Sequence, residues 1–426
     1  MKSFLEMSTE ELSKEKMSLE KTYEEFKKLN LTLNMARGVP SSEQISLSND
    51  MLCIINRDSD FNNENGTDCR NYGGTPYGIP EARRLFAELM GTSQDDVIVG
   101  GNSSLRMMFD TVSMFMTHGT SEYEPWIKQG KIKFLCPSPG YDRHFKICEY
   151  FNIEMVPIKM NHDGPDMDTV EKLIESDSLI KGIWCVPKFS NPQGITYSDK
   201  TVKRLASLNP KAKDFRIFWD NAYSVHELTE ENIQLSNIMD ECKKNNSEQL
   251  PIIFCSFSKI TFAGAGISAM ACRGENLSSL KRRYSVQSVG PDKLNQLRHV
   301  RFLRNLSEVK NHMRKHREIL APKFNIVLSI LKKHFENNPI VKWETPKGGY
   351  FISVDLINGC AKRSVQLCKE AGVTLTGAGA TYPYGYDPLD SNIRIAPSFP
   401  SCQELSKAME IFSISVKIAY LESILR

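Results

Sequence analysis

A lysine that follows a buried apolar run is the residue of this chain best suited to covalent chemistry. The run 251–255 leads into Ser-Phe-Ser-Lys, which ends at Lys259, and a turn containing Gly264 and Gly266 follows. Burial lowers the pKa of an ammonium group and frees the amine to attack a carbonyl carbon, as a Schiff-base lysine must do. For one lysine alone, a side chain that extends from a strand end to solvent is the commoner arrangement. The other residues must decide between the two.

Three further polar side chains follow apolar runs upstream of this lysine. Asp220 and Tyr223 follow the run Phe-Arg-Ile-Phe-Trp, and Asn191 follows the run Ile-Trp-Cys-Val-Pro. In an open parallel sheet, ligands bind in the crevice at the carboxyl ends of the strands. We therefore expect these three side chains and Lys259 to meet at one edge of a sheet.

Asparagine, aspartate, tyrosine and lysine in this order resemble the fold-type I enzymes that use pyridoxal 5′-phosphate. The chain resembles the class I/II aminotransferases, and among them the type Ic aspartate aminotransferases, in the segments 36–41, 139–144 and 290–293. The resemblance extends from about residue 34 to the C-terminus. It implies that Lys259 binds the cofactor as a Schiff base, is displaced by the substrate amine and then moves a proton.

This resemblance implies an α/β fold with a mostly parallel seven-stranded sheet covered by helices, and a smaller α/β domain built from both termini. The expected divisions are an N-terminal arm with part of the small domain at 1–65, a large cofactor-binding domain at 66–300 and a C-terminal small domain at 301–426. Apolar runs that alternate with helical segments agree with this fold. The runs that predict the strands of the sheet are 96–101, 132–136, 153–158, 183–187, 215–219, 251–255 and 266–272.

Helices are predicted by capping and by the spacing of apolar residues. Residues 8–11, Ser-Thr-Glu-Glu, resemble a capping box and predict a helix to about Leu29. A long stretch from Lys293 to about Phe335 has apolar residues at helical spacing and predicts helix. Residues 349–354 and 373–375 predict strands of the smaller domain.

The resemblance assigns catalytic roles at the cofactor ring to Lys259, Asp220 and Tyr223. The carboxylate of Asp220 suits the ring nitrogen, because an ion-paired carboxylate keeps that nitrogen protonated. Hydroxyl and amide donors, Tyr223 and Asn191, suit the anionic phenolic oxygen. Tyr141, which closes another predicted strand, corresponds to the aromatic residue that stacks on the ring, with a half-buried turn tyrosine as the alternative.

A candidate phosphate cradle lies where a short strand meets a helix. Two glycines are followed by Asn102, Ser103 and Ser104, and backbone donors at a helix N-terminus bind anions. Taken alone this signal is weak, since such helix starts are common. By the resemblance, Ser256 and Ser258 beside the lysine contact the same phosphate.

Two features of the expected phosphate site involve residues outside this cradle. Tyr72, in the segment Asn-Tyr-Gly-Gly, corresponds to the family tyrosine that reaches the phosphate of the neighbouring subunit, so a homodimer is expected. Most class I aminotransferases carry an arginine about eight residues after the lysine, but residues 260–268 contain no basic side chain. Another cation, or hydroxyls and backbone donors, must take its place.

The resemblance also assigns the substrate-binding residues. Arg394 corresponds to the arginine that binds the substrate α-carboxylate with both ends of its guanidinium fork, and Gly38 and Asn191 lie against that carboxylate. A dicarboxylic substrate needs a second cation, for which Arg37 is the candidate nearest in sequence; a surface arginine is the alternative. The expected reaction exchanges an amino group between a small or acidic amino acid, aspartate first, and a 2-oxo acid such as 2-oxoglutarate.

Composition excludes several other classes of protein. The formal net charge of +3 over 426 residues is not typical of a nucleic-acid-binding protein. The eleven cysteines form no Cys-x-x-Cys pair, so neither a disulfide framework nor a zinc site is indicated. No apolar stretch is long enough for a signal peptide or a membrane span. We expect a cytoplasmic enzyme without metal, nucleic-acid or membrane partners.

The histidines show no metal-ligand spacing, and surface or packing roles are expected for them. This group comprises His144, His226, His299, His312 and His316.

Other functions remain open at this point. A pyridoxal phosphate-dependent lyase would share every cofactor contact, and an aminotransferase for alanine or aromatic amino acids would share the Arg394 site. A cofactor-sensing transcription regulator would need a winged DNA-binding domain, which the residues before Leu33 are too few to supply.

Overall fold

The structure is a computed structural model that describes residues 3–425. Residues 1, 2 and 426, at the ends of the expected domain ranges, lie outside the described residues. The α-helices are α1 Thr9–Lys28, α2 Ser42–Ser46, α3 Pro80–Met90, α4 Ser104–Thr117, α5 Asp142–Tyr150, α6 Met167–Ser176, α7 Asp199–Ala206, α8 Ile238–Lys244, α9 Gly274–Gln287, α10 Lys293–Leu303, α11 Leu306–Phe335, α12 Ala361–Glu370 and α13 Cys402–Ile424. The strands are β1 Leu33–Asn34, β2 Val97–Val99, β3 Lys133–Ser138, β4 Glu154–Asn161, β5 Gly164–Pro165, β6 Ile180–Cys185, β7 Arg216–Asp220, β8 Pro251–Ser256, β9 Ser268–Ala271, β10 Val341–Trp343, β11 Ile352–Leu356, β12 Val373–Thr374 and β13 Asn392–Ile395.

A mostly parallel sheet forms the centre of the larger unit. Its strand order is β2-β9-β8-β7-β6-β3-β4-β5, with β9 and β5 antiparallel to their neighbours. Seven of these strands coincide with the apolar runs of the sequence, and the predicted fold is confirmed. The eighth, β5, has two residues and is too short to produce a sequence pattern.

Both faces of this sheet are buried because helices cover them. Along β7, Ile217 and Trp219 pack into a core shared with α3, α6, α7, α8 and α10, whereas Phe218 packs into a core with α4, α5 and α9. Successive side chains of a strand point to opposite faces, so a strand covered on both sides must be apolar at nearly every position. This requirement explains the continuous apolar runs.

The smaller unit combines both ends of the chain around a separate core. Strand β1 pairs in parallel with β12, and β10, β11 and β13 form an antiparallel sheet. Helices α1, α12 and α13 pack in the same core. The capping box that begins α1 is present, with Ser8 and Glu11 each bonded to the other's backbone N–H, as predicted.

Helix α11 belongs to both cores. Val309 and Met313 pack with the central sheet, whereas the residues from Leu320 onward pack in the smaller unit. Pro322 lies inside this helix. The sequence predicted helix from Lys293 to about Phe335, but α10 ends at Leu303 and a separate helix, α11, begins at Leu306.

Membrane-spanning helices and cysteine pairing bear on the class of protein. None of the helices within 3–425 is long and apolar enough to cross a membrane. The eleven cysteines are free thiols, and nine of them are buried.

Candidate active site

The candidate catalytic residues lie at the carboxyl ends of neighbouring parallel strands. Tyr141 follows β3, Asn191 follows β6, Asp220 ends β7 and Lys259 follows β8. Because these strands are consecutive in the sheet, their ends share one edge. The sheet topology therefore brings together side chains that are far apart in the sequence.

Asp220 is a buried carboxylate with a histidine partner. Its Oδ2 lies 3.0 Å from Nε2 of His144, and both side chains are almost fully buried. His144 in turn stacks on Trp184, with ring centroids 4.4 Å apart. The other oxygen of Asp220, Oδ1, is buried and has no hydrogen-bond partner in the described chain. A buried acceptor of this kind is costly unless a ligand supplies a donor.

His144 is a site residue that sequence reasoning missed. We expected a packing or surface role, but the ring bonds Asp220 and contacts the edge of Tyr141 at a centroid distance of 5.0 Å. The available signal was its position one helical turn after Tyr141, at a strand end that already carried a candidate.

The amine of Lys259 lies between aromatic rings. Its Nζ is 5.1 Å from the ring centroid of Tyr223 and 5.9 Å from that of Tyr350. Burial lowers the pKa of Lys259, and the negative charge of Asp220 opposes that shift in part. The amine is thus easier to deprotonate than an exposed lysine, as a nucleophile or base requires.

Tyr223 provides a hydroxyl donor in the same place. Burial raises the pKa of Tyr223 well above its usual value, and the nearby Tyr141 and Asp220 raise that pKa further. The hydroxyl therefore keeps its proton at neutral pH and can donate it to an anionic oxygen.

The predicted cradle residues lie beside the lysine segment. The Ser258 hydroxyl donates to the carbonyl of Asn102 at 3.0 Å, and the Asn102 amide donates to the carbonyl of Gly264 at 3.3 Å. Ser103 is the N-cap of α4, but its side chain makes no capping bond, and Ser104 is the first helical residue. Ser256 ends β8, one residue before the turn that carries Lys259. The start of α4 and the segment after β8 thus form one surface.

Arg394 is buried on β13 and is held at one end by two acceptors. Its Nη1 lies 2.9 Å from Oδ1 of Asp142 and 3.1 Å from Oδ1 of Asn191. Its Nη2 lies 3.3 Å from the hydroxyl of Thr376, which donates to the carbonyl of Ala36. Its Nε is buried without a partner in the described chain. Asp142 and Thr376 are contacts that the sequence did not predict.

Gly38 lies against the same group of residues. A Cβ atom on Gly38 would lie 2.4 Å from Cζ of Phe351, and the guanidinium carbon of Arg394 is 4.8 Å from that ring. Only glycine fits such an approach without displacing the ring.

Arg37 and Tyr72 are exposed and make no hydrogen bond, ion pair or ring contact with Lys259, Asp220 or Arg394 in the described chain. Arg37 is exposed at the surface next to Gly38. Tyr72 is 81% exposed in the single chain. A role for either residue depends on a bound ligand or on a partner subunit.

Comparison with known proteins gives the family. The family model described as aspartate amino-transferase matches residues 7–426. The chain belongs to this family. It is 42% identical over 405 residues to an aspartate aminotransferase of Corynebacterium glutamicum, which covers 95% of this chain and 93% of that protein.

Solved structures agree with this aspartate aminotransferase family assignment. A crystal structure of an aspartate transaminase from Corynebacterium glutamicum superposes with a TM-score of 0.95 at 41% identity, covering 99% of each chain. A kynurenine aminotransferase of Pyrococcus horikoshii has a TM-score of 0.76 at 18% identity, covering 92% of this chain and 91% of that one, and shows the shared fold. The predicted family and enzyme class, an aminotransferase, are confirmed.

Aminotransferases of this family and fold use pyridoxal phosphate, and the residues of this aspartate aminotransferase homologue fit that group. The unpartnered Oδ1 of Asp220 can accept a hydrogen bond from a protonated ring nitrogen, and the hydroxyl of Tyr223 can donate one to the ring oxygen. The start of α4 supplies backbone donors for a phosphate. These donors and acceptors correspond in type to the polar groups of the cofactor.

The lowered pKa of Lys259 predicts its reactivity in the cofactor-free protein. Acetylation by acetic anhydride needs the neutral amine, so Lys259 should be labelled with a midpoint pH below 10.5, the value of an ordinary lysine. The substitution Asp220→Asn removes a nearby negative charge and should lower this midpoint further. Mass spectrometry of peptides gives the rate at each lysine.

Lys133 is the internal reference in this experiment, because its contact with Asp177 raises the pKa of Lys133. A Lys259 midpoint equal to or above that of Lys133 would contradict the site's electrostatics.

Proposed function

We propose that this protein transfers the amino group of aspartate, or another small acidic amino acid, to a 2-oxo acid such as 2-oxoglutarate, using pyridoxal 5′-phosphate held by Lys259. The observation that carries the proposal is a pair of buried, unpartnered atoms: Oδ1 of Asp220, at the edge of the central sheet, and Nε of Arg394, whose guanidinium bonds Asn191 at that edge. One is an acceptor suited to a cofactor ring nitrogen, and the other is a donor suited to a carboxylate.

Pyridoxal phosphate, when bound, supplies an electron sink that makes the α-hydrogen of an amino acid acidic. Asp220 would hold the ring nitrogen in its protonated form through Oδ1, while His144 fixes the carboxylate through Oδ2. Tyr223 would donate its hydroxyl proton to the ring oxygen. Ser103, Ser104, Ser256, Ser258 and the amides at the start of α4 would bind the phosphate.

Lys259 would hold the cofactor and later move the proton at the reacting carbon. Burial lowers the pKa of its amine, so Lys259 gives up a proton more readily than an exposed lysine does. The rings of Tyr223 and Tyr350 restrict the directions that the amine can take. A single base with limited travel favours proton transfer over loss of other substituents.

Arg394 would bind the substrate α-carboxylate. Its Nη1 protons are engaged by Asp142 and Asn191, so Nε and Nη2 are the edge that can form a fork with a carboxylate. Retaining the α-carboxylate disfavours decarboxylation. The absence of a side chain at Gly38 lets the Phe351 ring lie against the backbone there, next to the guanidinium of Arg394.

We further propose a homodimer in the cytoplasm, without nucleic-acid or membrane partners. Tyr72 is exposed in the single chain, as a side chain that completes a neighbouring subunit's phosphate site would be. Free cysteines suit a reducing compartment.

The proposed reaction predicts keto-acid-dependent amino transfer with a defined preference. With 2-oxoglutarate as acceptor, aspartate should be used more efficiently than alanine or phenylalanine, because a dicarboxylate can form one more ion pair. Lys259→Ala should abolish turnover with every donor. Equal or greater activity with alanine or phenylalanine would favour the alternative substrates, and elimination products without amino transfer would favour a lyase.

Arg37 is proposed to bind the distal carboxylate of the substrate. Arg37→Ala should lower kcat/KM for aspartate about 10- to 100-fold, the equivalent of losing a hydrogen bond between charged groups, and should change that for alanine little. Arg57→Ala, at another exposed arginine of the N-terminal segment, is the matched control. Equal losses for both substrates would remove Arg37 from the specificity site.

The proposed dimer predicts complementation between two inactive variants. A hybrid of Tyr72→Ala and Lys259→Ala subunits contains one site with both native residues, so random mixing should restore about a quarter of the native activity. A hybrid of Lys259→Ala and Asp220→Ala has a lesion in each site and should stay inactive. An active monomer, or no restoration in the first hybrid, would overturn the shared-site arrangement.

A further inference from the structure

A buried cluster of polar side chains contacts the backbone directly after Lys259. We call Gln44, His312 and His316 the histidine brace. Nε2 of His312 and Nε2 of His316 lie 2.9 Å and 3.0 Å from the carbonyl oxygen of Ile260. Two imidazoles from one turn of α11 thus meet a single carbonyl, next to the candidate catalytic lysine.

The carbonyl of Ile260 belongs to the turn that carries Lys259. The backbone N–H groups of Ile260 and Thr261 both donate to the carbonyl of Phe257, each at 2.9 Å. This closes the turn around Lys259 but uses no acceptor of Ile260. A buried carbonyl needs a donor, and the Nε2 atoms of the two histidines are placed to provide it.

The proton of His316 can be assigned from its hydrogen bonds. Oε1 of Gln44 accepts from the backbone N–H of Ser41 at 3.1 Å, so the Gln44 amide nitrogen must face the other way. That nitrogen lies 3.1 Å from Nδ1 of His316 and can only donate to it. His316 must therefore carry its proton on Nε2, where it donates to Ile260.

Both histidines are neutral in the folded protein. Burial lowers the pKa of His312, and it lowers the pKa of His316 to about 4. At neutral pH each ring has one proton. Nε2 of His312 also lies 3.2 Å from Nε2 of His316 and 3.3 Å from the Ser48 hydroxyl. With its proton on Nε2, His312 gives the carbonyl of Ile260 a second donor, one for each lone pair.

The brace also reaches the amine of Lys259 from another side. The second N–H of the Gln44 amide donates to the hydroxyl of Tyr350 at 2.9 Å. The Tyr350 ring lies 5.9 Å from Nζ of Lys259 and stacks with Tyr223 at a centroid distance of 6.2 Å. One network therefore fixes the backbone beside Lys259 and a ring that flanks its amine.

We propose that the histidine brace is the positioning element of Lys259: two imidazoles, of which Gln44 orients that of His316, anchor the Ile260 carbonyl and hold the lysine amine in register with Asp220 and Tyr223. The brace residues are positioning residues, since they act through the turn and not on substrate. The inference rests on the proposed role of Lys259 for its effect on turnover, but its geometric part does not.

Nitrogen NMR on cofactor-free protein labelled with ¹⁵N-histidine tests the geometry directly. His312 and His316 should both be protonated on Nε2 and unprotonated on Nδ1, with resonances assigned by their absence in His312→Gln and His316→Gln. A proton on Nδ1 of His316 would overturn the proposal, because the donor to Ile260 would then be missing. The protonation is read from the unsubstituted protein without cofactor, and the two variants serve only to assign the resonances.

Substitution of His316 tests the positioning. His316→Leu removes one donor, and the amides of the 257–262 turn should exchange with deuterium about tenfold faster in cofactor-free protein. In the loaded enzyme kcat should fall about tenfold with little change in KM. His316→Gln places an amide donor near the position of Nε2 and should restore both properties toward those of the unmodified protein.

His334→Leu is the matched control, since His334 lies on the same helix and bonds Glu410 at 2.7 Å in the smaller unit. It should lower thermal stability without changing exchange at the turn or kcat. If His316→Leu behaves like this control, the brace is structural only and the proposal fails. Borohydride reduction of the protein loaded with pyridoxal phosphate, followed by peptide mapping, identifies the lysine that holds the cofactor. If exchange at the turn rises but the label is on a lysine other than Lys259, the brace stands and the role of Lys259 fails.

Discussion

The buried carboxylate of Asp220 is the constraint around which the other site residues are arranged. An ionised carboxylate removed from water is unstable unless it is paired and hydrogen-bonded. In this chain one oxygen is satisfied by His144, which is itself fixed by stacking on Trp184. The other oxygen is left for a ligand, and the charge acts on its neighbours by raising the pKa of both Tyr223 and Lys259. Burial opposes this effect only at the lysine, so the tyrosine keeps its proton while the lysine loses its proton more readily than an exposed one.

Arg394 is arranged by the same principle with the opposite sign. A buried guanidinium also requires partners, and Asp142, Asn191 and Thr376 satisfy two of its three nitrogens. The site thus contains a carboxylate and a guanidinium that are each satisfied on one side only. Pyridoxal phosphate would complete Asp220 through its ring nitrogen, and an amino-acid substrate would complete Arg394 through its carboxylate. Complementarity of this kind favours binding of the cofactor and the amino acid in a fixed relative orientation.

The sequence predicted the sheet well because its inner strands, such as β6, β7 and β8, are buried on both faces and are mostly apolar. It could not predict β5, whose two residues carry no periodicity, or the break between α10 and α11. That break occurs where Arg304 has a φ of 27° and Asn305 caps the next helix. The residues on both sides have helical patterns, so no sequence pattern indicated the break.

The candidate site was predicted to the extent that its residues follow strands or match family motifs. Asn191, Asp220, Tyr223 and Lys259 were identified in this way, and the sheet topology brings them together. Asp142 was not, because its contact with Arg394 joins residues 252 positions apart in the chain. Such pairings depend on the packing of the smaller unit against the sheet, which no local pattern encodes.

Helix α11 has a mechanical consequence that follows from its proline. Its 30 residues span about 45 Å, and the helix packs in both hydrophobic cores. Pro322 has no backbone N–H, so the helical hydrogen-bond ladder is interrupted close to the point where the helix passes from one core to the other. Helix α11 is therefore least stiff near the border between the two units. A rotation of the smaller unit can be absorbed there while the part of the helix packed on the sheet keeps its place.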